Sequence, residues 1–136
     1  MNWRSFVMEN SDRIRVMLVD DNEMVRMSMA VFLETCDEVE LVAEAGDGQK
    51  AIELSGKVQP DVILMDLVMP GMDGVTATRV IHQRQPETRI VVLSSSVEPS
   101  LIDSALEAGA AGYLHKSAKI DELLEAILDD SDVRIA

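Results

Sequence analysis

Residues 62–74, VILMDLVMPGMDG, decide how this chain is expected to fold. The apolar run VILM at 62–65 is typical of a buried strand, and it ends in a carboxylate, Asp66. Pro70 and Gly71 then turn the chain away from the strand. Because an ionised carboxylate is costly to bury, an acid at this position needs either a partner or a function.

Apolar runs and amphipathic stretches alternate along the chain on both sides of this strand. The pattern predicts strands at 14–20, 39–45, 61–66, 89–95 and 111–116, and helices at 22–36, 49–58, 73–85, 99–109 and 119–128. The strands are continuous apolar runs, which favours a parallel sheet covered by helices on both faces. The sequence therefore predicts an α/β fold with a doubly wound sheet.

Length, cysteine content and charge limit the class of protein. A chain of 136 residues suggests one domain that can fold without disulfides, and the single cysteine, Cys36, fits a reducing compartment. No apolar run approaches the ~20 residues that span a bilayer, and from the pattern of the N-terminal residues we expect no secretory signal. We therefore expect a cytoplasmic protein without membrane contact. The net charge of −13 would repel phosphate backbones, so this chain is not expected to bind nucleic acid itself.

Polar and charged side chains gather where the predicted strands end, which is where open parallel sheets bind ligands. They are Asp20 and Asp21 after the first strand, Asp66 after the third, Ser94 after the fourth and Lys116 after the fifth. Each alone has an ordinary explanation as a cap, a turn residue or a solvated charge, but all of them fall on one edge. Three close carboxylates repel one another, and a divalent cation relieves this. Oxygen ligands without Cys or His favour Mg²⁺ over Zn²⁺.

Four motifs together resemble the receiver domain of two-component response regulators. They are VMLVDDN, PDVILMDLVMPGMDG, RIVVLSSS and GAAGYLHKS, and the resemblance covers about Arg13 to Leu128. It implies a flavodoxin-like (βα)5 sandwich with strand order 2-1-3-4-5. We expect residues 1–13 to be a disordered N-terminal extension, 14–128 the receiver domain, and 129–136 a tail or the start of a linker.

The resemblance also implies the roles of the acidic residues. Asp66 is expected to accept a phosphoryl group from the phosphohistidine of a sensor histidine kinase or from a phosphotransfer protein. The cofactor is expected to be Mg²⁺ (or Mn²⁺), held by Asp20, Asp21, Asp66 and the backbone carbonyl of Val68. Asp21 is expected to be the direct ligand and Asp20 to act partly through water. Such a domain takes part in its own phosphorylation and dephosphorylation without being a conventional enzyme.

Three further residues match the family's phosphoryl contact and switch. The resemblance implies that Lys116 pairs with a phosphoryl oxygen, that Ser94 is the switch hydroxyl, and that Tyr113 is the switch aromatic. Phosphorylation is then expected to draw Ser94 in, turn Tyr113 inward, and change the face formed by the fourth helix, fifth strand and fifth helix. The alternative for Tyr113 is a half-buried strand aromatic without a switching role.

Ser117 departs from the Pro that many receivers have after the strand-five Lys. The segment GYLHKS is more similar to the branch whose receivers precede a LuxR-like helix-turn-helix domain. We therefore expect a receiver that controls an attached DNA-binding transcription regulator domain absent from this chain, with a possible homodimer on phosphorylation. The alternative is a stand-alone receiver that acts through protein contacts.

Two other function classes are weighed against this one. An Asp-nucleophile phosphohydrolase would have a second Asp two residues after the nucleophile, where this chain has Val68. A degenerate receiver that binds partners without phosphorylation would not be expected to keep the complete acid, hydroxyl and lysine set. Both alternatives are therefore disfavoured.

Some residues outside the site carry structural expectations only. The apolar side of the first helix is expected to comprise Met24, Met27 and Val31, with Met29 and Phe32 as further candidates. The methionines in general are expected to pack the core. Neither His82 nor His115 is expected to donate a phosphoryl group, because the donor histidine belongs to the partner. His82 is expected on a helix surface and His115 on the output face.

Overall fold

The computed structural model describes residues 13–95 and 98–129. Expectations for residues 1–12 and 130–136, which include the N-terminal extension and most of the tail, lie outside the described residues. The strands are β1 (Ile14–Val19), β2 (Val39–Ala45), β3 (Val62–Asp66), β4 (Arg89–Ser94) and β5 (Gly112–His115). The helices are α1 (Glu23–Glu34), α2 (Gly48–Val58), α3 (Gly74–Arg84), α4 (Pro99–Ala108) and α5 (Ile120–Leu128). Each begins and ends within two residues of its predicted bounds.

All strand pairs are parallel, and the order across the sheet is β2-β1-β3-β4-β5. This confirms the predicted doubly wound fold. β3 lies at the centre, where Ile63 pairs with Met17 of β1 and with Ile90 of β4. All five of its residues are buried, which explains why its sequence is apolar throughout up to Asp66.

The two faces of the sheet build two separate cores because side chains alternate along each strand. Met17 and Ile63 point to the face that packs against α2, α3 and α4. Val16 and Val62 point to the face that packs against α1 and α5. Among the described residues, no helix is long and apolar enough to cross a membrane.

Short polar side chains fix where three of the helices begin. Asn22, Asp47 and Asp73 each accept hydrogen bonds from backbone N–H groups in the first turn of α1, α2 and α3. These caps satisfy donors that the helices leave without an internal partner. The turns at the carboxyl edge of the sheet are therefore defined locally, which holds the strand ends at fixed positions.

The loop after β3 folds back tightly onto the strand. The backbone N–H of Gly74 donates to the carbonyl of Leu67 at 3.0 Å. A Cβ atom on Gly74 would collide with the backbone carbonyl of Asp66, so no larger residue fits without a backbone shift. Gly71 adopts a φ of 75°, which few other residues adopt without strain. The PG turn of the sequence thus brings the start of α3 against the end of β3.

The orientation of α1 corrects the expectation for its apolar side. Met24 and Met27 are 76% and 58% exposed, and Val31 is 64% exposed. The helix instead buries Ala30 and Leu33 against the sheet, and Met29 and Phe32 pack partly buried beside them, as expected. At 100° per residue, Leu33 lies on the side opposite Met24, so only one of the two apolar stripes can face the core. The expectation that methionines pack the core is wrong for Met24 and Met27. It is correct for Met17, Met65 and Met69.

His82, which is expected on a helix surface, is partly buried rather than fully exposed. Its ring packs against Gly109, where a Cβ atom would collide with the imidazole. Nδ1 of His82 is buried and has no hydrogen-bond partner among the described residues. Gly109 ends α4 with a φ of 119°, so this glycine meets both the turn geometry and the close contact.

We predict that Gly74→Ala destabilises the fold while Gly56→Ala does not. Gly74→Ala forces the β3–α3 turn apart, and we expect a loss of about 1–3 kcal/mol or more in the free energy of unfolding. Gly56 lies within α2, and the nearest atom to an added Cβ is 4.0 Å away. Gly56→Ala should therefore stabilise by about 0.5–1 kcal/mol. Urea unfolding of both variants tests this, and equal effects would contradict the described turn.

Candidate functional site

The sheet register places two of the acids side by side. Val19 of β1 pairs with Met65 of β3, so the residues that follow them, Asp20 and Asp66, leave the sheet next to each other. Both acids are buried, whereas Asp21 is exposed in the loop before α1. One carboxylate oxygen from each of the three residues lies within 4.8 Å of the other two. The three acids predicted from the strand ends therefore form one cluster.

Lys116 reaches this cluster from the far side of β4. Its Nζ lies 2.9 Å from Oδ2 of Asp20 and 3.3 Å from Oδ2 of Asp66. The backbone N–H of Lys116 donates to the carbonyl of Ser94 at 2.9 Å, which fixes the start of the side chain at the end of β4. The side chain is 27% exposed, so its ion pairs are partly shielded from water.

The pKa values of the two central groups are displaced by this arrangement. Burial raises the pKa of Asp66, and the nearby charge of Asp20 raises it further, against the lowering effect of Lys116. Burial alone would lower the pKa of Lys116, but its hydrogen bond to Asp20 and the charge of Asp66 outweigh this and raise it. One ammonium thus faces three carboxylates and leaves the cluster with excess negative charge.

The donor set fits a hard divalent cation. All three side chains offer oxygen, which Mg²⁺ prefers. Octahedral ligands about 2.1 Å from Mg²⁺ lie at most about 4.2 Å apart, which is close to the 4.8 Å that bounds the oxygen–oxygen distances of this cluster. Both oxygens of Asp20 already accept hydrogen bonds, Oδ1 from Asn22 and Oδ2 from Lys116. The Asp20 carboxylate is therefore already engaged by two donors within the protein. Asp21, by contrast, is exposed to solvent.

The structure also describes the other predicted site residues, Val68, Ser94 and Tyr113. The backbone N–H of Val68 donates to Oδ1 of Asp66 at 3.3 Å, and the Val68 side chain is 62% exposed beside it. Ser94 is fully buried at the end of β4. Tyr113 is 8% exposed and packs in the core under α2, α3 and α4, so its ring is already turned inward. His115 Nδ1 accepts from the N–H of Ser117 at 3.1 Å, just beyond β5.

Asn22 and Arg26, to which the sequence motifs assign no role, both contact Asp20. Asn22 donates its backbone N–H to Oδ1 of Asp20 at 2.8 Å, while its own side chain caps α1. Arg26 donates from Nη1 to the backbone carbonyl of Asp20 at 2.6 Å. The cap residue Asn22 carries a recognisable sequence signal. A contact from a helix arginine to a backbone carbonyl carries none.

The chain belongs to the response regulator receiver domain family, which matches residues 16–128. Transcriptional regulatory protein LiaR of Bacillus subtilis is 46% identical over 114 residues, which are 84% of this chain and 54% of LiaR. The signal receiver domain of the response regulator NarL from Mycobacterium tuberculosis superposes with a TM-score of 0.83 at 36% identity, covering 87% of this chain and 95% of that one.

A LuxR-family two-component response regulator from Aurantimonas sp. SI85-9A1 also superposes with a TM-score of 0.83 at 36% identity, covering 90% of this chain and 89% of that one. These relatives support the LuxR-like branch of the family. The chain spans about half the length of the curated relatives it matches. Receiver domains in general bind Mg²⁺ at an acidic pocket and interact with histidine kinases, and the cluster of Asp20, Asp21 and Asp66 is a pocket of this kind.

The raised pKa of Asp66 predicts how stability depends on pH. The folded state holds the Asp66 proton more tightly than the unfolded state, so the free energy of unfolding falls as pH rises from the unfolded to the folded pKa. Asp66→Asn removes the titrating carboxyl group and with it this decrease in the free energy of unfolding. We expect the variant to be more stable than wild type at pH 7 in EDTA, and equally stable or less stable below the unfolded pKa.

Urea unfolding between pH 3 and 8 measures this difference. Asp103→Asn, at an exposed position of α4, is the control and should follow the wild-type curve. Free Mg²⁺ at tenfold its dissociation constant should stabilise wild type by about 1.4 kcal/mol and Asp66→Asn by less. An Asp66→Asn curve parallel to wild type across the whole range would contradict the raised pKa.

Proposed function

We propose that this chain is a phosphoacceptor receiver, which takes a phosphoryl group on Asp66 from the phosphohistidine of a sensor histidine kinase or phosphotransfer protein. The observation that carries the proposal is the position of Asp66. It is 3% exposed, lies 3.3 Å from the ammonium of Lys116, and shares a cluster with two further carboxylates. The buried central strand β3 holds this acid at the carboxyl end of the sheet, where open parallel sheets bind ligands.

The reaction is a transfer between two nucleophiles. A carboxylate oxygen of Asp66 attacks phosphorus, the new O–P bond forms as the N–P bond breaks, and the imidazole leaves with the bond's electron pair and then takes a proton. Lys116 is placed to donate to a phosphoryl oxygen, and the N–H of Val68 holds Oδ1 of Asp66. Asp20, Asp21, Asp66 and the carbonyl of Val68 would hold Mg²⁺, which when bound neutralises charge on the transferred group.

The switch is proposed to run from Asp66 through β4 to β5. Ser94 ends β4 next to His115 of β5, and Val92 pairs with Tyr113. A hydrogen bond from the Ser94 hydroxyl to a phosphoryl oxygen would shift the loop that follows β4. Tyr113 is already buried, so we propose that phosphorylation stabilises its inward position and thereby the face of α4, β5 and α5.

In the full-length protein, we propose that this face controls a DNA-binding transcription regulator domain. Support comes from the LuxR-like relatives, which are about twice as long as the region they share with this chain. The receiver itself, with a net charge of −13, is not proposed to bind DNA. A cytoplasmic location and a homodimer on phosphorylation belong to the same proposal. A stand-alone receiver is the alternative, and the gene sequence after Ala136 separates the two.

Phosphorylation by a small donor tests the proposal directly. With Mg²⁺ and acetyl phosphate, intact mass should show one phosphoryl adduct on wild type and none on Asp66→Asn or in EDTA. Lys116→Met should slow adduct formation by about 10²-fold or more, because it removes a preorganised charge. Asp103→Asn should react like wild type. Steady turnover of phosphate esters without an adduct would point to the phosphohydrolase, and no adduct at all would leave a degenerate receiver.

The kinase is proposed to dock on the exposed apolar stripe of α1. Met24, Met27 and Val31 form this stripe, and Met24 also lines a groove between α1 and α5 together with Ile120 and Lys116. The groove therefore extends from the stripe to a residue that contacts Asp66. A partner helix seated there would bring its histidine to the acceptor, and flexible methionines adapt to such a surface.

The double variant Met24→Ser, Met27→Ser tests this docking surface. We expect kcat/KM for transfer from a purified sensor kinase that phosphorylates wild type to fall about tenfold or more. The rate with acetyl phosphate should stay unchanged, because the acidic cluster is untouched. Leu128→Ser, an exposed apolar residue at the far end of α5, is the matched control and should transfer normally. An equal loss with both donors would indicate damage to the site rather than to docking.

A further inference from the structure

We propose that Arg26 is a positioning residue for the cation site and holds the acidic loop between β1 and α1 in its binding geometry. This inference rests on the proposed function, because it assumes that the acidic cluster binds Mg²⁺. The guanidinium Nη1 donates to the backbone carbonyl of Asp20 at 2.6 Å. The side chain is only 21% exposed, so this hydrogen bond is largely protected from water.

A second strand anchors the guanidinium. Nε of Arg26 lies 3.3 Å from Oε1 of Glu44 on β2. The guanidinium also lies against Gly46, where an added Cβ atom would be 3.4 Å from Nη1. The N–H of Asp20 in turn donates to the carbonyl of Ala45 at 3.1 Å. Arg26 therefore joins the ends of β1 and β2, and its position does not depend on α1 alone.

The carbonyl that Arg26 binds belongs to the peptide bond between the two acids. Because this peptide is planar, fixing the Asp20 carbonyl also fixes the N–H and Cα of Asp21. The Asp20 carboxylate has its own contacts to Asn22 and Lys116. The Asp21 carboxylate projects from an exposed residue, so its approach to the cluster depends on this backbone geometry. Arg26 thus acts on the cation through the position of Asp21.

Charge and positioning predict opposite effects of removing Arg26. A positive charge beside a cation site repels the cation, so loss of that charge alone would strengthen Mg²⁺ binding. Loss of the hydrogen bond to Asp20 would loosen the loop and weaken binding, as is common when a residue that supports a metal ligand is removed. The sign of the change therefore decides between the two roles.

Isothermal titration of the full chain with Mg²⁺, checked by Mn²⁺ paramagnetic resonance, provides the test. We expect Arg26→Met to weaken binding about tenfold, and Arg26→Lys, which keeps the charge and one donor, to weaken it less. Glu44→Ala should also weaken binding, and the double variant with Arg26→Met should bind no more weakly than Arg26→Met alone. Arg84→Met, at an exposed position of α3, is the matched control and should bind like wild type.

Several outcomes would overturn the inference. Unchanged or tighter Mg²⁺ binding by Arg26→Met would leave the proposed function intact and refute the positioning role. Additive losses from Arg26→Met and Glu44→Ala would show that Glu44 does not act through Arg26, and would refute it as well. If Arg26→Met does not fold, Arg26→Lys and Glu44→Ala carry the comparison, and wild-type affinity in both refutes it. No binding by wild type would refute the cation site itself.

Discussion

The ion pairs of one ammonium with two buried carboxylates are the interaction on which the rest of this site depends. Lys116 spans the end of β4 to reach Asp20 and Asp66, and so ties the ends of β1, β3 and β5 together. Burial makes the charged form of Asp66 expensive, and Lys116 offsets only part of that cost, so the pKa of Asp66 remains raised. The fold thereby keeps an acid whose charge would be better compensated by a bound divalent cation. In the absence of a cation, fewer carboxylates beside this single ammonium would make the carboxyl end of the sheet more stable.

The fold was largely predictable because its sequence signals are local and agree with one another. Continuous apolar runs marked the buried strands, and Asp73 before α3 and Gly109 after α4 marked helix ends. The acids and Lys116 were predictable as a group because parallel strands deliver their last residues to the same edge. Their separate roles, however, came from the family resemblance, since spacing alone does not distinguish a metal ligand from a cap.

The failures share one physical cause, which is that one-dimensional patterns do not say which neighbour an element meets. Helix α1 has two apolar stripes, and the sequence did not show that Leu33 rather than Met24 would face the sheet. The sequence does not show that His82 packs against Gly109, because this glycine follows a different helix, α4. Arg26 was overlooked because its partners are a backbone carbonyl and an acid on β2. Each error concerns a contact between elements distant in sequence, where periodicity carries no information.

Helix α1 carries two of the proposed activities on different sides, and this constrains both. Its outer stripe of Met24, Met27 and Val31 is the proposed kinase surface, while Arg26 faces the ends of β1 and β2 and holds the acidic loop. Arg26 lies two residues after Met24 and one residue before Met27 on the same helix, so these side chains cannot move independently of its backbone. A partner that shifts α1 on docking would therefore also move Arg26 and, through the Asp20 carbonyl, Asp21. Binding of the phosphodonor and of the cation would then be coupled, and by linkage each would change the affinity of the other by the same factor.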